Sequence, residues 1–351
     1  MVESGSKAAK SRRLEVPEVL SRYRPLIDEG LRSVLDKDSN NAYVMMRYYM
    51  GWADVSGNAV LAETGKYLRP SLCLLSAEAT GADLRKALPV AVSLELIHNF
   101  SLIHDDIEDQ DEIRHHRKTL WAEWGIPKAL MAGDLMFVLA NRYLLGSNLT
   151  VDNYETCSNL LNEACLRMIE GQYLDLAYEG KFDLSVDDYM AMVSRKTGAL
   201  LRCSVDSGVA LGHCTTVQND HFDNAASALG NAFQIRDDIL GTWGDQNSTG
   251  KPVGADIRRK KNALPMVHMM NSLGEKSLQN MTMLMETDTL DEHSVQLILD
   301  LMGSFETYEF CQNLVEHLCS KAMSEIVCAE VPDKFTTDFA GIIEFIGKRV
   351  H

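Results

Sequence analysis

Two aspartate-rich stretches crowd like charges at the ends of apolar segments. The first, DDIED from Asp105 to Asp109, follows an apolar helical segment from Leu88 to His104. On a helix, Asp105 and Asp109 lie four residues apart and share a face. Anions at the C-terminal end of a helix oppose its dipole and repel one another. This arrangement lowers stability unless cations neutralise it, so we expect a cation-binding role.

The second stretch has the same form. Asp237 and Asp238 close the apolar segment FQIRDDILG, from Phe233 to Gly241, and a glycine-rich loop containing Asp245 follows. Two such stretches predict two facing carboxylate clusters. Clustered oxygen ligands with few Cys or His side chains suit a hard cation that keeps its water and binds phosphate oxygens. Mg²⁺ meets that description better than Zn²⁺.

Basic residues accompany both stretches, although the chain carries a formal net charge of −16. They are Lys66, Arg69, Arg114, Arg117, Lys118, Lys196, Lys251 and the run from Arg258 to Lys261. Together with Mg²⁺ they would form a local positive pocket in an acidic protein. Screening limits the reach of the net charge to roughly 10 Å, so an anionic substrate is not excluded.

The elements that must position these residues are helical almost throughout. Apolar residues recur at three- and four-residue spacing, as in Leu94, Ile97 and Leu102, and there is no proline between Pro127 and Pro252. Strict alternation is hard to find, and so are hairpin signals. The pattern predicts an all-α fold: a single bundle of about ten or more helices around a central cavity.

The chain lacks internal repeats and Pro- or Ser-rich linkers, which favours one large domain. We expect a flexible tail over residues 1–14 and a single helical domain over residues 15–351. Asp83 and Asp187 are predicted to be helix N-caps, because each precedes an apolar helical pattern.

The composition excludes several classes of protein. The acidic balance argues against binding of nucleic acid or anionic membranes, which need a basic footprint. No run approaches eighteen apolar residues, so we expect no membrane span. The eight cysteines form no CxxC pair, and we expect reduced, mostly buried thiols in a cytoplasmic protein.

From about Leu61 to Pro265, these motifs resemble those of the polyprenyl synthetases, the trans-isoprenyl diphosphate synthases. The matching segments are Thr64 to Pro70 (the family's GGKxxRP), Asp105 to Asp109 (its first DDxxD), Arg114-His115 (its two arginines), Lys196-Thr197 (its KT pair), Phe233 to Asp238 (its FQxxDD), and Lys251 and Lys261 (its late lysines). One of these alone is a weak signal, whereas all of them in this order are specific.

The resemblance implies an all-helical homodimeric enzyme that condenses an allylic diphosphate with isopentenyl diphosphate and releases diphosphate. It implies three Mg²⁺ ions, with the metal-binding residues Asp105, Asp106, Asp109, Asp237 and Asp238. It implies that the diphosphate of isopentenyl diphosphate is bound by Lys66, Arg69, His98 and one of Arg114 or His115. The residues that serve the allylic diphosphate or its cation would be Lys196, Thr197, Gln234, Lys251 and Lys261.

Three positions depart from the family pattern. Thr64 replaces the first glycine of the lysine motif, which is expected to change only the local turn. His115 replaces an arginine, and would bind diphosphate better when protonated. Gly241 occupies the third position of the second aspartate motif. Either one metal ligand is missing there, or Asp245 or a water substitutes for it.

Product length is expected to depend on the residues just before the first aspartate motif. In this family, the positions four and five residues before it resemble a floor beneath the growing chain. Here they are Ser101, which is small, and Phe100, which is bulky. This pattern is similar to that of geranylgeranyl diphosphate synthases, with farnesyl and geranylfarnesyl products as alternatives.

Two other functions remain open at this point. A terpene cyclase of the same fold needs the aspartates but not isopentenyl diphosphate, so the retention of Lys66, Arg69 and His98 favours chain elongation. A non-catalytic partner subunit of a true synthase should have lost carboxylates. This chain keeps its aspartate pairs, although Gly241 leaves that alternative open.

Overall fold

The computed structural model describes residues 16–38, 40–60, 62, 65–244 and 252–349. The expected tail, Thr64, Asp245 and Lys251 lie outside the described residues. The helices are α1 (Glu18–Leu35), α2 (Asn41–Tyr49), α3 (Leu68–Ala79), α4 (Leu84–Glu108), α5 (Leu120–Trp124), α6 (Ile126–Leu145), α7 (Val151–Tyr178), α8 (Val186–Val193), α9 (Ala199–Ala210), α10 (Thr216–Trp243), α11 (Ala255–Arg258), α12 (Leu264–Ser272), α13 (Glu275–Met285), α14 (Glu292–Ser304), α15 (Thr307–Cys328) and α16 (Asp333–Lys348). A π-helical segment, Ser194–Gly198, joins α8 to α9. The predicted all-α fold is confirmed.

Two long central helices carry the two aspartate stretches. Helix α4 packs against α1, α3, α6 and α9, and helix α10 packs against α9, α15 and the π-helical segment. Apolar side chains on several faces of α4 are fully buried, as Val90, Leu94 and Ile97 are. Among the described residues only α4 has the length and hydropathy of a membrane-crossing helix, and 67% of that stretch is buried inside the protein. Helix α4 is therefore the core around which the others pack.

The two aspartate-bearing helices extend further than the sequence pattern indicated. Helix α4 continues past His104 to Glu108, and Asp109 is its C-cap. Helix α10 continues past Gly241 to Trp243. The aspartates of the first stretch thus lie at the last turn of α4. Asp237 and Asp238 lie inside α10, just before its last turn.

One predicted helix cap is confirmed and the other is wrong. The Asp83 carboxylate accepts a hydrogen bond from the Arg85 amide at 2.9 Å. At α8 the N-cap is Ser185, whose hydroxyl accepts from the Asp188 amide at 3.1 Å. The Asp188 carboxylate accepts in turn from the Ser185 amide at 3.1 Å. This reciprocal capping box begins the helix two residues earlier than Asp187.

The segment between α4 and α5 forms a β-hairpin, although hairpin signals are hard to find in the sequence. Strands β1 (Ile113–Arg114) and β2 (Arg117–Lys118) pair antiparallel. The two residues between them, His115 and His116, have φ of 49° and 60°. A two-residue hairpin loop of type I′ needs positive φ at both positions, which Asn-Gly usually provides. The hairpin carried no such signal, which is why the sequence did not reveal it.

Candidate active site

The C-terminal ends of α4 and α10 face a common space. The Lys261 amine, just beyond α11, donates to Asp109 Oδ2 at 2.6 Å. The guanidinium of Arg69, at the start of α3, is buried. The charges of Asp105 and Asp237 both act to raise its pKa, so both carboxylates lie near it. The two carboxylate clusters predicted from the sequence therefore border one common site.

In the first cluster the three aspartates have different surroundings. Burial raises the pKa of Asp105 to about 6, and Asp109 adds to the rise while Lys196 opposes it. Both oxygens of Asp106 accept from the protein, Oδ1 from Arg114 Nε at 2.6 Å and Oδ2 from the Tyr49 hydroxyl at 3.2 Å. Asp105 is thus a half-buried carboxylate beside a like charge, while Asp106 is anchored by side-chain donors.

The pKa of Asp109 moves in the opposite direction. Burial alone would raise it, but Lys261, Lys196 and Arg259 outweigh burial and lower it. Asp109 therefore stays ionised. In this structure Lys261 is the cation paired with the Asp109 carboxylate, where a metal ion would otherwise bind.

The second cluster divides its two aspartates in the same way. Asp238 Oδ2 accepts from the Tyr189 hydroxyl at 2.6 Å and from the Leu264 amide at 2.8 Å. Asp238 Oδ1 accepts from Gln234 Nε2 at 2.9 Å, and burial raises the pKa of Asp238 to about 7. Asp237 is more open, with 42% of its side chain exposed, and forms an ion pair with Arg349. Asp237 is therefore the carboxylate of this pair that is accessible to a cation.

The space left by Gly241 is filled by another carboxylate. A Cβ built on Gly241 would lie 1.9 Å from Asp256 Oδ2. Asp256 belongs to α11, and its charge contributes to the raised pKa of both Asp238 and Lys261. A third carboxylate thus approaches the second cluster from a different helix, at the position where the family motif has its own.

Lys196 and Thr197 lie on the π-helical segment. Two glycines on neighbouring helices allow those helices to pack closely against its backbone. A Cβ on Gly171 of α7 would lie 2.2 Å from the Lys196 amide nitrogen, and one on Gly230 of α10 would lie 2.8 Å from Gly198 Cα. Single π-helical turns inside α-helices are frequent at functional sites. Close contact with two glycines fixes where this turn places its side chains.

The side chains of this turn make a chain of polar contacts. Lys196 Nζ donates to Asp175 Oδ2 at 2.5 Å. Burial would lower the pKa of Lys196, but Asp175 and Asp105 outweigh burial and raise it, so the amine stays charged. The Thr197 hydroxyl donates to Gln234 Oε1 at 2.6 Å, and the Gln234 amide donates onward to Asp238. The three residues predicted to be catalytic are therefore adjacent and oriented.

A basic pocket lies between α3, α4 and the β1–β2 hairpin. Arg69 Nη1 lies 3.1 Å from His98 Nε2. Burial, and then the charges of Arg69 and Arg114, lower the pKa of His98 well below its ordinary value, so Nε2 is an acceptor. Arg69 Nε finds no acceptor among the described residues. His115 and Arg114 line the adjoining pocket.

Buried donors without an acceptor fit an anionic ligand. Lys66 belongs to the same region, with Nζ 5.0 Å from the centre of the Phe345 ring. The residues predicted to bind isopentenyl diphosphate are thus brought together beside the carboxylate clusters, and Arg114 joins the two regions through its bond to Asp106.

Glu95 lies in the wall of this pocket and yields a testable prediction about stability. It is 4% exposed, and Asn99 Nδ2 donates to its carboxylate at 3.0 Å. Burial raises its pKa from 4.5 to about 7, with Arg69 opposing. A carboxyl group whose pKa is raised on folding destabilises the protein progressively as the pH rises between those two values. We expect Glu95→Gln to match the wild type near pH 5 and to be more stable by up to about 3 kcal/mol at pH 8.

Thermal unfolding of both proteins across this pH range measures the effect. The relevant quantity is the difference between variant and wild type, because other groups titrate in both. A difference that stays constant with pH would contradict the raised pKa of Glu95.

Below the first aspartate motif, two aromatic rings meet. Phe100, 9% exposed, has its ring centroid 5.3 Å from that of Phe137 on α6 and 4.9 Å from that of His104. The Ser101 side chain is small, and its hydroxyl is turned back to donate to the His98 carbonyl at 2.8 Å. It therefore adds little bulk beside the rings. Phe137 was not recognised from the sequence.

The residues present fit magnesium. Among the described residues, no three His, Cys, Asp or Glu side chains converge closely enough to hold a metal ion alone. Mg²⁺ is commonly held by one or two carboxylates plus substrate phosphates, with several waters retained. Asp105, Asp109 and Asp237 offer oxygen ligands of this kind, and Lys261 and Arg349 stand as cations on two of them.

Three residues of the site escaped sequence reasoning. Asp175 and Asp256 are single acidic residues in helical segments that contain other acidic residues. No sequence signal distinguished these two from the others. Arg349 lies far along the chain from every recognised motif. Only the way the helices pack brings these side chains to the site.

Comparison with known proteins shows the family of the chain. Residues 52–302 match the family model described as polyprenyl synthetase. The chain is 40% identical over 248 residues to the (2E,6E)-farnesyl diphosphate synthase of Mycobacterium tuberculosis, across 71% of this chain and 68% of that protein. It is 37% identical over 262 residues to the geranylgeranyl diphosphate synthase of the same organism, across 74% of each chain.

The crystal structure of a polyprenyl synthetase from Streptomyces coelicolor A3(2) superposes with a TM-score of 0.86 at 33% identity, covering 95% of this chain and 99% of that one. The chain therefore belongs to the polyprenyl synthetase family and is a prenyltransferase.

Proposed function

We propose that the chain elongates an allylic diphosphate by head-to-tail condensation with isopentenyl diphosphate, releasing diphosphate. The observation that carries this proposal is the presence of two different anion sites around one space. One site is the pair of carboxylate clusters, which needs a metal to bind diphosphate. The other is the basic pocket of Lys66, Arg69 and His98, which binds diphosphate directly. A cyclase would have no use for the second site.

We assign the allylic diphosphate to the carboxylate side. Mg²⁺, when bound, would withdraw charge from the departing diphosphate. Asp105, Asp109 and Asp237 would hold the metal, and Asp106 and Asp238 would support it through their protein hydrogen bonds. Asp256 would take the part of the carboxylate that Gly241 lacks. Lys196 and Lys261 would bind the diphosphate oxygens, as would Lys251, which lies outside the described residues.

The cation that forms faces Thr197 and Gln234. The Thr197 proton is used in its bond to Gln234 Oε1 at 2.6 Å. The hydroxyl therefore presents lone pairs, and no proton, to the space where the allylic cation forms. The double bond of isopentenyl diphosphate then attacks the cation, and the released diphosphate is the base that takes the proton lost from the new chain. Positioning dominates this mechanism, because the protein forms no covalent bond.

Product length would be set by the aromatic floor, with geranylgeranyl diphosphate as the favoured product. Phe100 lies five residues before Asp105 on α4, about 7 Å along the helix. We expect Phe100→Ala to shift the product towards longer chains, and Phe137→Ala to shift it in the same direction, because each removes one ring of the contacting pair. Gas chromatography of the dephosphorylated products measures the change.

A matched control is Phe310→Ala, which removes a ring of the same size from α15, where it stacks on His268. Products of unaltered length in both floor variants would show that the floor lies elsewhere.

We also propose that the enzyme is a homodimer, located in the cytoplasm. Helices α6 and α7 expose large apolar side chains, among them Leu130, Met131, Val138, Ile169 and Tyr173. Exposed apolar side chains grouped on two helices that touch each other indicate an interface. We expect light scattering to give twice the chain mass, and Met131→Glu with Tyr173→Lys to reduce it to one chain. A monomeric wild type would contradict the assignment.

The test of the function uses purified protein, Mg²⁺, isopentenyl diphosphate and each of dimethylallyl, geranyl and farnesyl diphosphate. We expect linear products ending at one main length, with geranylgeraniol most abundant after dephosphorylation. A main product of fifteen or twenty-five carbons would correct the product alone. The absence of elongation with all three primers would refute the proposal.

A further inference from the structure

The loop that leads into α3 has a strained backbone. Tyr67, which follows Lys66 and is the N-cap of α3, has a φ of 52°, in the left-handed region. A bulky side chain rarely adopts this conformation, which persists only where the surrounding structure holds it. Tyr67 is 2% exposed, and it lines the basic pocket together with Gly65. The strain therefore lies between Lys66 and Arg69, two of the residues proposed to bind isopentenyl diphosphate.

Two side chains of α1 hold this loop. Arg24 Nη2 donates to the Gly65 carbonyl at 2.7 Å, and the guanidinium carbon lies 4.7 Å from the centre of the Tyr67 ring. The Tyr67 hydroxyl donates to Asp28 Oδ1 at 2.7 Å. Arg24 and Asp28 are four residues apart, so they share one face of α1. That face thus holds the residues on both sides of Lys66, and neither side chain is among the described residues that line the pocket.

The charges around the loop compensate one another. Burial raises the pKa of Glu95, in the wall of the pocket, and the charges of Arg69 and Arg24 oppose the rise. Asp28 adds to the rise in that pKa, so all three charged groups lie near Glu95. Two guanidinium groups and two carboxylates therefore share this region, and their arrangement does not depend on a bound anion. A loop that is preorganised in this way loses less free energy when it binds substrate.

We propose that Arg24 and Asp28 are positioning residues for the second substrate. By holding residues 65–67 they would keep the lysine and the arginine of the basic pocket in the arrangement that binds the diphosphate of isopentenyl diphosphate, without touching it. The inference rests on the proposed function. Helix α1 precedes residues 52–302, which match the family model, so the family match assigns no role to either residue. A loop that is only partly in its binding conformation binds more weakly in proportion, so the two residues act on the affinity for one substrate.

The test compares Arg24→Gln with a matched control, Arg22→Gln. Arg22 Nη2 donates to Asp338 Oδ2 at 2.6 Å, and its guanidinium carbon lies 4.9 Å from the centre of the Tyr23 ring. Each variant removes a charged hydrogen bond and a contact with a tyrosine ring, but Asp338 belongs to α16 rather than to the loop. Steady-state kinetics are measured with isopentenyl diphosphate and the allylic primer each varied. Calorimetry measures the binding of isopentenyl diphosphate without metal or primer.

In Arg24→Gln we expect the KM and the dissociation constant for isopentenyl diphosphate to rise at least about tenfold, because a charge-assisted hydrogen bond that holds the loop is lost. The kcat and the KM for the primer should change by less than about twofold, since the carboxylate clusters are untouched. Arg22→Gln should change none of these quantities, although both variants should lose some thermal stability. Tyr67→Phe keeps the ring but not the bond to Asp28, and should raise the KM for isopentenyl diphosphate at least about threefold.

Unchanged binding of isopentenyl diphosphate in Arg24→Gln would overturn the proposal, and so would an equal loss in Arg22→Gln or a matching rise in the KM for the primer. A normal Tyr67→Phe enzyme would remove Asp28 from it. Failure of the proposed function is a distinct result, namely a wild type that elongates no primer. The calorimetric titration needs no turnover, so the positioning role is tested in either case. A wild type that binds no isopentenyl diphosphate would overturn both.

Discussion

Replacing Asp105 with asparagine should lower kcat/KM for chain elongation by about 10³-fold while leaving the metal-free protein as stable as the wild type or more so. Asp105 is half-buried beside Asp109 and Glu108, and the loss of solvation there raises its pKa to about 6. The charge of Asp105 therefore destabilises the folded state at neutral pH. Asparagine has nearly the same shape and removes that charge. Loss of one preorganised electrostatic group at a reacting centre costs about 10²–10³ in rate, and loss of a metal ligand should reach the upper end.

Steady-state kinetics and thermal unfolding with and without Mg²⁺ measure both halves of this prediction. Mg²⁺ should raise the melting temperature of the wild type more than that of the variant, because a ligand stabilises the state that binds it. Glu112→Gln is the control, since it removes an exposed carboxylate three residues beyond the motif. A fully active Asp105→Asn enzyme would remove the carboxylate cluster from the mechanism.

The second large effect is expected from Gly171→Ala. This change adds a single methyl group at a position that is distant in the sequence from every predicted motif. The new Cβ would lie 2.2 Å from the Lys196 amide nitrogen and 2.6 Å from its Cα. The π-helical segment must move, and overpacking of this kind costs about 1–3 kcal/mol. Since Lys196 and Thr197 move with it, we expect kcat/KM to fall about 10²-fold, as misplacement by about 1 Å can do.

Gly303→Ala is the matched control, because no atom beyond the backbone of its own helix lies within 4 Å of a Cβ at that position. It should keep full activity and gain slightly in stability from the better helix propensity of alanine. Normal kinetics in Gly171→Ala would mean that the π-helical segment adjusts without moving its side chains.

The contrast between these two predictions shows what the sequence could reveal. Asp105 was recognisable because repelling charges at a helix end need an explanation in any fold. Gly171 was not, because a glycine inside a helix has no meaning until the backbone it touches is known. The periodicity of apolar residues likewise predicted helices, while the exact start of α8 depended on a serine–aspartate pair rather than on Asp187.

Long-range packing accounts for the other residues that were missed. Asp256 fills the space beside Gly241, and Arg349 reaches Asp237, only because α11 and α16 return to α10. The Gly241 departure did point to a missing carboxylate. Asp245, one of the substitutes considered from the sequence, lies outside the described residues and stays a prediction. The β1–β2 hairpin was missed because histidines occupy the positive-φ positions that usually carry asparagine or glycine.

The measurement that tests the central claim most directly is the stoichiometry of diphosphate release in the presence of Mg²⁺. Purified protein is given farnesyl diphosphate with and without isotopically labelled isopentenyl diphosphate, and released diphosphate and label in the prenyl product are counted together. Two separate anion sites predict one diphosphate released for each isopentenyl unit incorporated, and almost none when isopentenyl diphosphate is omitted. Diphosphate release at the same rate without isopentenyl diphosphate, with cyclic hydrocarbon as product, would contradict the account and identify a cyclase.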